Sequence, residues 1–253
     1  MAAIAILGVG SLAGMMLRGL RGSGHRFILS AERSTTAGAL AAEFGAEVAA
    51  DNQAAVDAAE AVFVSLPAAT GGDIIETLRF RAGQRVLSAV AGLSLARLGA
   101  AVAPASAAVT IMPGYSNALG VGSALLSPAD PFWAEVLGHT GLVLTVDDPD
   151  LYTAGAVYGG FSGALYGFMA QAIAWFQAQG LPEPVARGLV ATALRGNAQV
   201  LLSEPTPVAE IAARVTTPGG ISEQILNTLK ARGALDAWDE GMAAVHARLK
   251  GSA

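Results

Sequence analysis

The sequence contains no cysteine. That excludes a disulfide framework, a thiol nucleophile and zinc–thiolate coordination. Lysine occurs only as Lys230 and Lys250, so most of the chain has no lysine to act as acid or base. The three histidines, His25, His139 and His246, are widely scattered, and neither a histidine cluster nor a bound metal is expected. Charged residues make up 14% of the 253, well under the usual quarter. With 53% hydrophobic residues, the chain is not disordered. The net charge of −5 argues against a nucleic-acid partner, which calls for a basic surface.

Low charge and a mean hydropathy of +0.50 raise the question of a membrane. The apolar start, Met1 to Gly10, has no basic residue before it, unlike a signal peptide. From Leu151 to Pro182 there is no Asp, Glu, Lys or Arg, and Gly155, Gly159, Gly163 and Gly167 recur every fourth residue. That span is long enough for a bilayer and carries a small-residue ridge. Its interior Ser162, Gln171 and Gln177, and the lack of a basic flank, favour instead a helix buried in protein. No membrane partner is expected, and the cytoplasm is the expected compartment.

What the sequence does contain is an alternation of short apolar runs with Ala-rich stretches. Strands are expected at Ala3–Leu7, Arg26–Ser30, Ala61–Leu66, Arg85–Val90, Ala108–Met112 and Gly141–Val146. Helices are expected between them at Leu12–Gly22, Thr36–Phe44, Asn52–Ala58, Gly71–Arg79 and Leu95–Val102. This pattern predicts an α/β domain with a parallel sheet covered on both faces. After Pro149 the pattern is helical: Asp150–Gln179, Pro184–Ser203, Pro207–Arg214, Gly219–Arg232 and Ala234–Lys250. We therefore expect a dinucleotide-binding Rossmann domain over residues 1–148 and an all-helical domain over 149–253.

The first strand runs into Gly8-Val9-Gly10-Ser11-Leu12-Ala13, a G-x-G-x-x-A turn. Gly8 permits the tight turn, Gly10 lets backbone approach a pyrophosphate, and Ala13 allows close helix–strand packing. The helix start then offers N–H groups and its positive dipole end to phosphate. Cofactor choice is read after the second strand, at Glu32-Arg33-Ser34-Thr35. An acidic group there suits the ribose hydroxyl of NAD, and an Arg with hydroxyl neighbours suits the 2′-phosphate of NADP. Both signals are present; Arg33 and Ser34 favour NADP, with NAD as the alternative.

Three further segments complete the pattern: Ser88-Ala89-Val90-Ala91-Gly92-Leu93, Val109-Thr110-Ile111-Met112-Pro113-Gly114 and Thr216-Thr217-Pro218-Gly219-Gly220-Ile221-Ser222. Together with the glycine turn, they resemble the pyrroline-5-carboxylate reductase family over nearly the whole chain. The resemblance implies a Rossmann domain followed by a helical dimerisation domain, and reduction of a cyclic imine to proline with NAD(P)H. It also implies a homodimer or a higher oligomer of dimers, with each active site completed by the partner's helices. Leu66 and Pro67, matching the family's Val-Lys-Pro segment, join Gly8, Gly10, Ser11, Leu12, Ala13, Arg33, Ser34, Met112 and Pro113 as expected cofactor-binding residues. The sequence departs from the family at Gly114 and Ser11, both Asn there, at Leu66, Lys there, and at Ile221, Thr there.

Read without the resemblance, Thr217 is a good N-cap and Pro218 suits the first helical position. Such a helix start can receive an anion such as a substrate carboxylate. By themselves these residues read more readily as an ordinary capped helix start; the resemblance makes Gly219, Gly220 and Ser222 the expected substrate-binding residues, and Ser222 and Thr217 the candidate catalytic hydroxyls. Tyr115, Tyr158 and Tyr166 are alternative proton donors, and His139 reads as a surface-loop histidine. Hydride transfer to an imine needs alignment more than a strong base. The alternatives are a reductase of another small imine or carbonyl substrate, and a non-catalytic NADP-binding regulator.

Overall fold

The computed structural model describes residues 1–112 and 114–251. Eight strands form one sheet: β1 (Ala3–Leu7), β2 (Arg26–Ser30), β3 (Glu47–Ala49), β4 (Ala61–Val64), β5 (Arg85–Ser88), β6 (Ser106–Ile111), β7 (Gly122–Ser127) and β8 (Gly141–Thr145). Their order is β3-β2-β1-β4-β5-β6-β7-β8. The pairings from β3 to β6 are parallel, β7 runs antiparallel to β6, and β8 parallels β7.

The helices of this part are α1 (Ser11–Gly19), α2 (Ala37–Phe44), α3 (Asn52–Asp57), α4 (Gly71–Glu76), α5 (Leu95–Val102), α6 (Tyr115–Ala118), α7 (Pro131–Gly138) and α8 (Pro149–Gly155). Successive strand residues point to opposite faces, and here both faces are dry. Ile4, Ile6 and Phe63 pack with Met16 and Leu17 of α1, Ala41 of α2 and Trp133 of α7. Ala5, Leu7, Val62 and Val64 pack on the other side with Val56 of α3, Ile75 of α4 and Leu98 of α5. Each such large side chain, fully buried, contributes about 1.5–3 kcal/mol.

Strands β3 and β7 and helices α6 and α7 escape the sequence pattern. Strand β7, read as Gly-Ser-Ala-Leu-Leu-Ser, has no β-branched residue and so little strand propensity. Helix α7 carried a readable signal: Asp130 accepts a hydrogen bond from Trp133 N at its start, and Pro131 follows, a cap-plus-proline helix opening.

The helical part comprises α9 (Tyr158–Ala178), α10 (Glu183–Ser203), α11 (Val208–Val215), α12 (Ile221–Ala231) and α13 (Ala234–Gly251). The helix expected over 150–179 is broken between Gly155 and Tyr158, where Ala156 and Val157 leave α8. The chain divides into two compact units, residues 1–159 with 245–253, and residues 160–244. The first unit thus runs on past residue 148 through α8, whose Tyr152 packs against the core under the sheet. Among the described residues, no helix is long and apolar enough to cross a membrane.

Candidate functional site

The strand order places β1 between β2 and β4, so the chain reverses direction of travel across the sheet at β1/β4. In such sheets the ligand crevice opens at the carboxyl ends of the strands beside that reversal. Gly8 leaves β1 there with φ of 81°. A Cβ at Gly8 would lie 2.6 Å from Ser65 O and 2.7 Å from Leu66 N, so only glycine lets this turn lie against the end of β4. Ser65 Oγ fastens the contact, donating to Gly8 O at 2.9 Å.

Gly10 is the N-cap of α1. No side chain caps this end, and the first turn has no acidic residue. A Cβ at Gly10 would meet no protein atom within 4 Å. An exposed helix start with free space over its cap glycine fits the pyrophosphate of a dinucleotide. Ala13 is fully buried, giving the close packing expected of the third position.

The second strand's end resolves the charge ambiguity at Glu32 and Arg33. Glu32 turns to the start of α3, where its Oε2 accepts from Asn52 N at 3.1 Å. Arg33 is exposed, in the left-handed backbone region with φ of 54°, a conformation uncommon outside glycine. Ser34 Oγ donates to Val9 O at 2.9 Å and Thr36 Oγ1 to the same oxygen at 2.7 Å. Both hydroxyls therefore brace the glycine turn.

Leu66 and Pro67 follow β4 beside Gly8. A Cβ at Gly71 would lie 3.1 Å from Leu66 Cβ and 3.1 Å from Val90 Cγ1, which brings the loop after β5 to the same place. A cleft of about 370 Å³ opens over these strand ends, lined by Ala68, Gly72, Val90, Gly92, Arg97 and Arg248. Arg97 is held there by Asp73 at 2.7 Å and Glu76 at 2.8 Å, whose carboxylates raise its already high pKa. Met112 is buried in the core. Pro113 lies outside the described residues. Gly114, with φ of 89°, would bring a Cβ within 2.6 Å of Met15 Sδ on α1; the backbone here selects glycine.

In residues 217–222 the structure corrects the expected helix start. Gly220 N donates to Thr217 O at 2.9 Å, and Gly219 has φ of 72°. With Pro218 before it, this is a type II turn, which takes Pro and then Gly at its centre. Thr217 is therefore not the N-cap; Gly220 is, and α12 begins at Ile221. Gly219 N–H is taken by the chain's own Glu223 Oε2 at 2.8 Å. A Cβ at Gly220 would overlap the Thr217 hydroxyl. Ser222 is exposed in the first turn of α12.

Of the tyrosines, Tyr158 Oη shares a 2.7 Å hydrogen bond with Ser123 Oγ, while Tyr115 and Tyr166 are exposed. Burial pushes the Tyr152 hydroxyl pKa far above its ordinary value. His139 is not an isolated loop residue: it ends α7 beside Glu135, and the same carboxylate meets His25. Two of the three scattered histidines are thus neighbours, which the sequence did not reveal.

Residues 149–251 match the family described as pyrroline-5-carboxylate reductase dimerisation. Residues 3–92 match the family described as NADP oxidoreductase, coenzyme F420-dependent. No curated protein matches the sequence. Among solved structures, the 1-pyrroline-5-carboxylate reductase of Streptococcus pyogenes is 20% identical with a TM-score of 0.86, covering 99% of this chain and 98% of that one. The NADP-bound pyrroline carboxylate reductase of Plasmodium falciparum is 12% identical, with a TM-score of 0.87 and the same coverage. A reductive aminase from Aspergillus terreus in complex with NADPH is 19% identical, with a TM-score of 0.62, covering 99% of this chain and 91% of that one. The helical segment thus matches the pyrroline-5-carboxylate reductase dimerisation family, and the chain as a whole shares the fold of those enzymes.

Proposed function

We propose that the protein is an NADPH-dependent reductase of a small cyclic imine that carries a carboxylate. The observation that carries this reading is the uncapped start of α1 over open space at Gly10, in a chain whose helical part matches the pyrroline-5-carboxylate reductase dimerisation family. Gly8, Gly10, Ser11, Leu12 and Ala13 form the phosphate turn, and Leu66 and Pro67 border it. Arg33 meets the 2′-phosphate, since Glu32 is committed to Asn52 N. When bound, the cofactor supplies the hydride that reduces the C=N carbon. The chain's part is to orient the imine, exclude water and hold the substrate carboxylate. We assign that last task to the N–H groups of the first turn of α12 and to Ser222. Gly219 and Gly220 shape the turn that leads into it, their own N–H groups being taken by Glu223 Oε2 and Thr217 O, and Thr217 braces it. The residue inventory agrees: an imine nitrogen takes up its proton readily, and alignment does most of the work.

Consumption of NADPH is to be followed with a panel of cyclic imines and oxoacids, pyrroline-5-carboxylate among them. Turnover of the cyclic imine carboxylates is expected. Retained NADPH binding with no turnover on any of them would leave a cofactor-binding regulator instead.

Arg33→Ser is expected to raise the KM for NADPH about tenfold to a hundredfold, the loss of one charge-assisted contact, and to leave that for NADH nearly unchanged. An unchanged ratio of the two KM values would remove Arg33 from the 2′-phosphate. Ser222→Ala is expected to raise the substrate KM several-fold with little change for NADPH. An unaltered substrate KM would take Ser222 out of the site.

The reading includes a homodimer, or a higher oligomer of dimers. Helices α9, α11, α12 and α13 contain no buried residue, and α10 buries only Ala186 and Val190. Phe168, Trp175 and Leu202 are 50%, 60% and 71% exposed in the single chain. Apolar surface of this kind marks an interface. The reading also keeps the role in proline synthesis that the family resemblance implies, and the cytoplasm as the expected compartment.

A further inference from the structure

At the amino-terminal end of β2, the opposite end from Glu32 and Arg33, the segment leading into the strand meets the end of α7. His25 Nε2 lies 3.3 Å from Glu135 Oε2, and His139 Nε2 lies 3.2 Å from Glu135 Oε1. One donor atom from each side chain, two imidazole nitrogens and a carboxylate oxygen, fall within 4.8 Å of one another. The His25 side chain is only 5% exposed and stands edge-on to Phe132, with ring centroids 6.0 Å apart. That ring is fixed. His139 and Glu135 are 39% and 56% exposed, so they are reachable from solvent and can adjust.

We propose that His25, Glu135 and His139 form a binding site for a divalent transition-metal ion, zinc or nickel in particular. Two imidazoles with one carboxylate suit such ions, whereas calcium and magnesium prefer all-oxygen sites. Donors about 2.0–2.1 Å from a tetrahedral ion stand about 3.4 Å apart. The two imidazoles stand close to that spacing from different oxygens of Glu135, and a small turn of the exposed His139 and Glu135 side chains brings all three onto one ion. Solvent completes the coordination. His25 binds through Nε2, which puts its proton on Nδ1, a buried atom without a hydrogen-bond partner. A ligating histidine ordinarily donates that N–H to an acceptor, and lacking one weakens the site. The expected affinity is therefore micromolar.

The ion would clamp the start of β2 to the end of α7. Strand β2 is five residues long, so its two ends are separated by about 13 Å. The site thus stands apart from the nucleotide turn, and its existence does not depend on the reductase reading.

The test uses the full chain without a polyhistidine tag, stripped with chelator and titrated calorimetrically at pH 7.5 with zinc chloride, nickel chloride and magnesium chloride. One zinc or nickel ion per chain is expected, with no detectable magnesium binding. Glu135→Gln and His139→Ala should each weaken binding at least tenfold. Zinc at 100 µM should raise the thermal midpoint of the parent by a few degrees and leave that of His139→Ala unmoved. A parent-like circular dichroism spectrum and a cooperative thermal transition of both variants without metal serve as the check that they fold. The proposal is overturned if the parent binds neither ion, or if both variants bind as tightly as the parent.

Discussion

Gly10→Val is expected to weaken NADPH binding about a hundredfold or more while changing stability by no more than about 1 kcal/mol. Gly10 has φ of −120° and ψ of −154°, extended backbone that any residue adopts. No protein atom lies within 4 Å of its would-be Cβ, so the fold accepts the side chain. The ligand does not, because the valine occupies the space through which phosphate reaches the first N–H groups of α1. Losing two charge-assisted hydrogen bonds, at about 1.5–3 kcal/mol each, accounts for that factor. Gly8→Ala gives the contrasting result. There the Cβ meets the backbone of Ser65 and Leu66, which cannot rotate away as a side chain can. The positive φ alone costs about 1–2 kcal/mol, so the thermal midpoint falls. Fluorescence titration with NADPH beside thermal unfolding separates the two. Parent-like affinity in Gly10→Val would mean that the turn holds no dinucleotide, and the reductase reading would fall with it.

Local signals made much of this legible. The strand Ala3–Leu7, the turn Gly8–Ala13 and the start of α1 are contiguous, and each supports the reading of the others. Strands β1 and β2 stand where their apolar runs predict. Strand β3, of three residues, is too short to show a period. Strand β7 draws its stability from Val109, Thr110 and Ile111 on one side and from β8 on the other, which no window of its own sequence reports. At Thr217–Gly220 the letters were read as a cap and first helical residue, but Pro-Gly satisfies a type II turn better, and the helix starts later. The direction of Glu32 depended on Asn52 N, twenty residues on. The pairing of His25 with His139 is set by where α7 ends relative to β2, a tertiary fact that spacing in the chain does not encode.

Gly167→Leu yields a stability change whose sign depends on assembly. In the single chain, nothing lies within 4 Å of a Cβ at Gly163 or Gly167, whereas one at Gly159 would stand 2.8 Å from Ile111 Cδ1 and one at Gly155 would overlap Leu125. The first half of the ridge is thus filled by β6 and β7, and the second half faces open space. Were α9 exposed in solution, leucine would replace a poor helix former and stabilise the chain by about 0.5–1 kcal/mol. If a second copy packs on α9, the added side chain enters an occupied interface at about 1–3 kcal/mol per site, and two-fold symmetry doubles the cost. Tyr166 and Phe168 flank Gly167, at 52% and 50% exposure, so the contact they make in a dimer is displaced as well. We expect a lower thermal midpoint and a shift of the light-scattering mass toward the single chain. A higher midpoint at unchanged mass would mean that α9 does not bury its glycine face in the assembly.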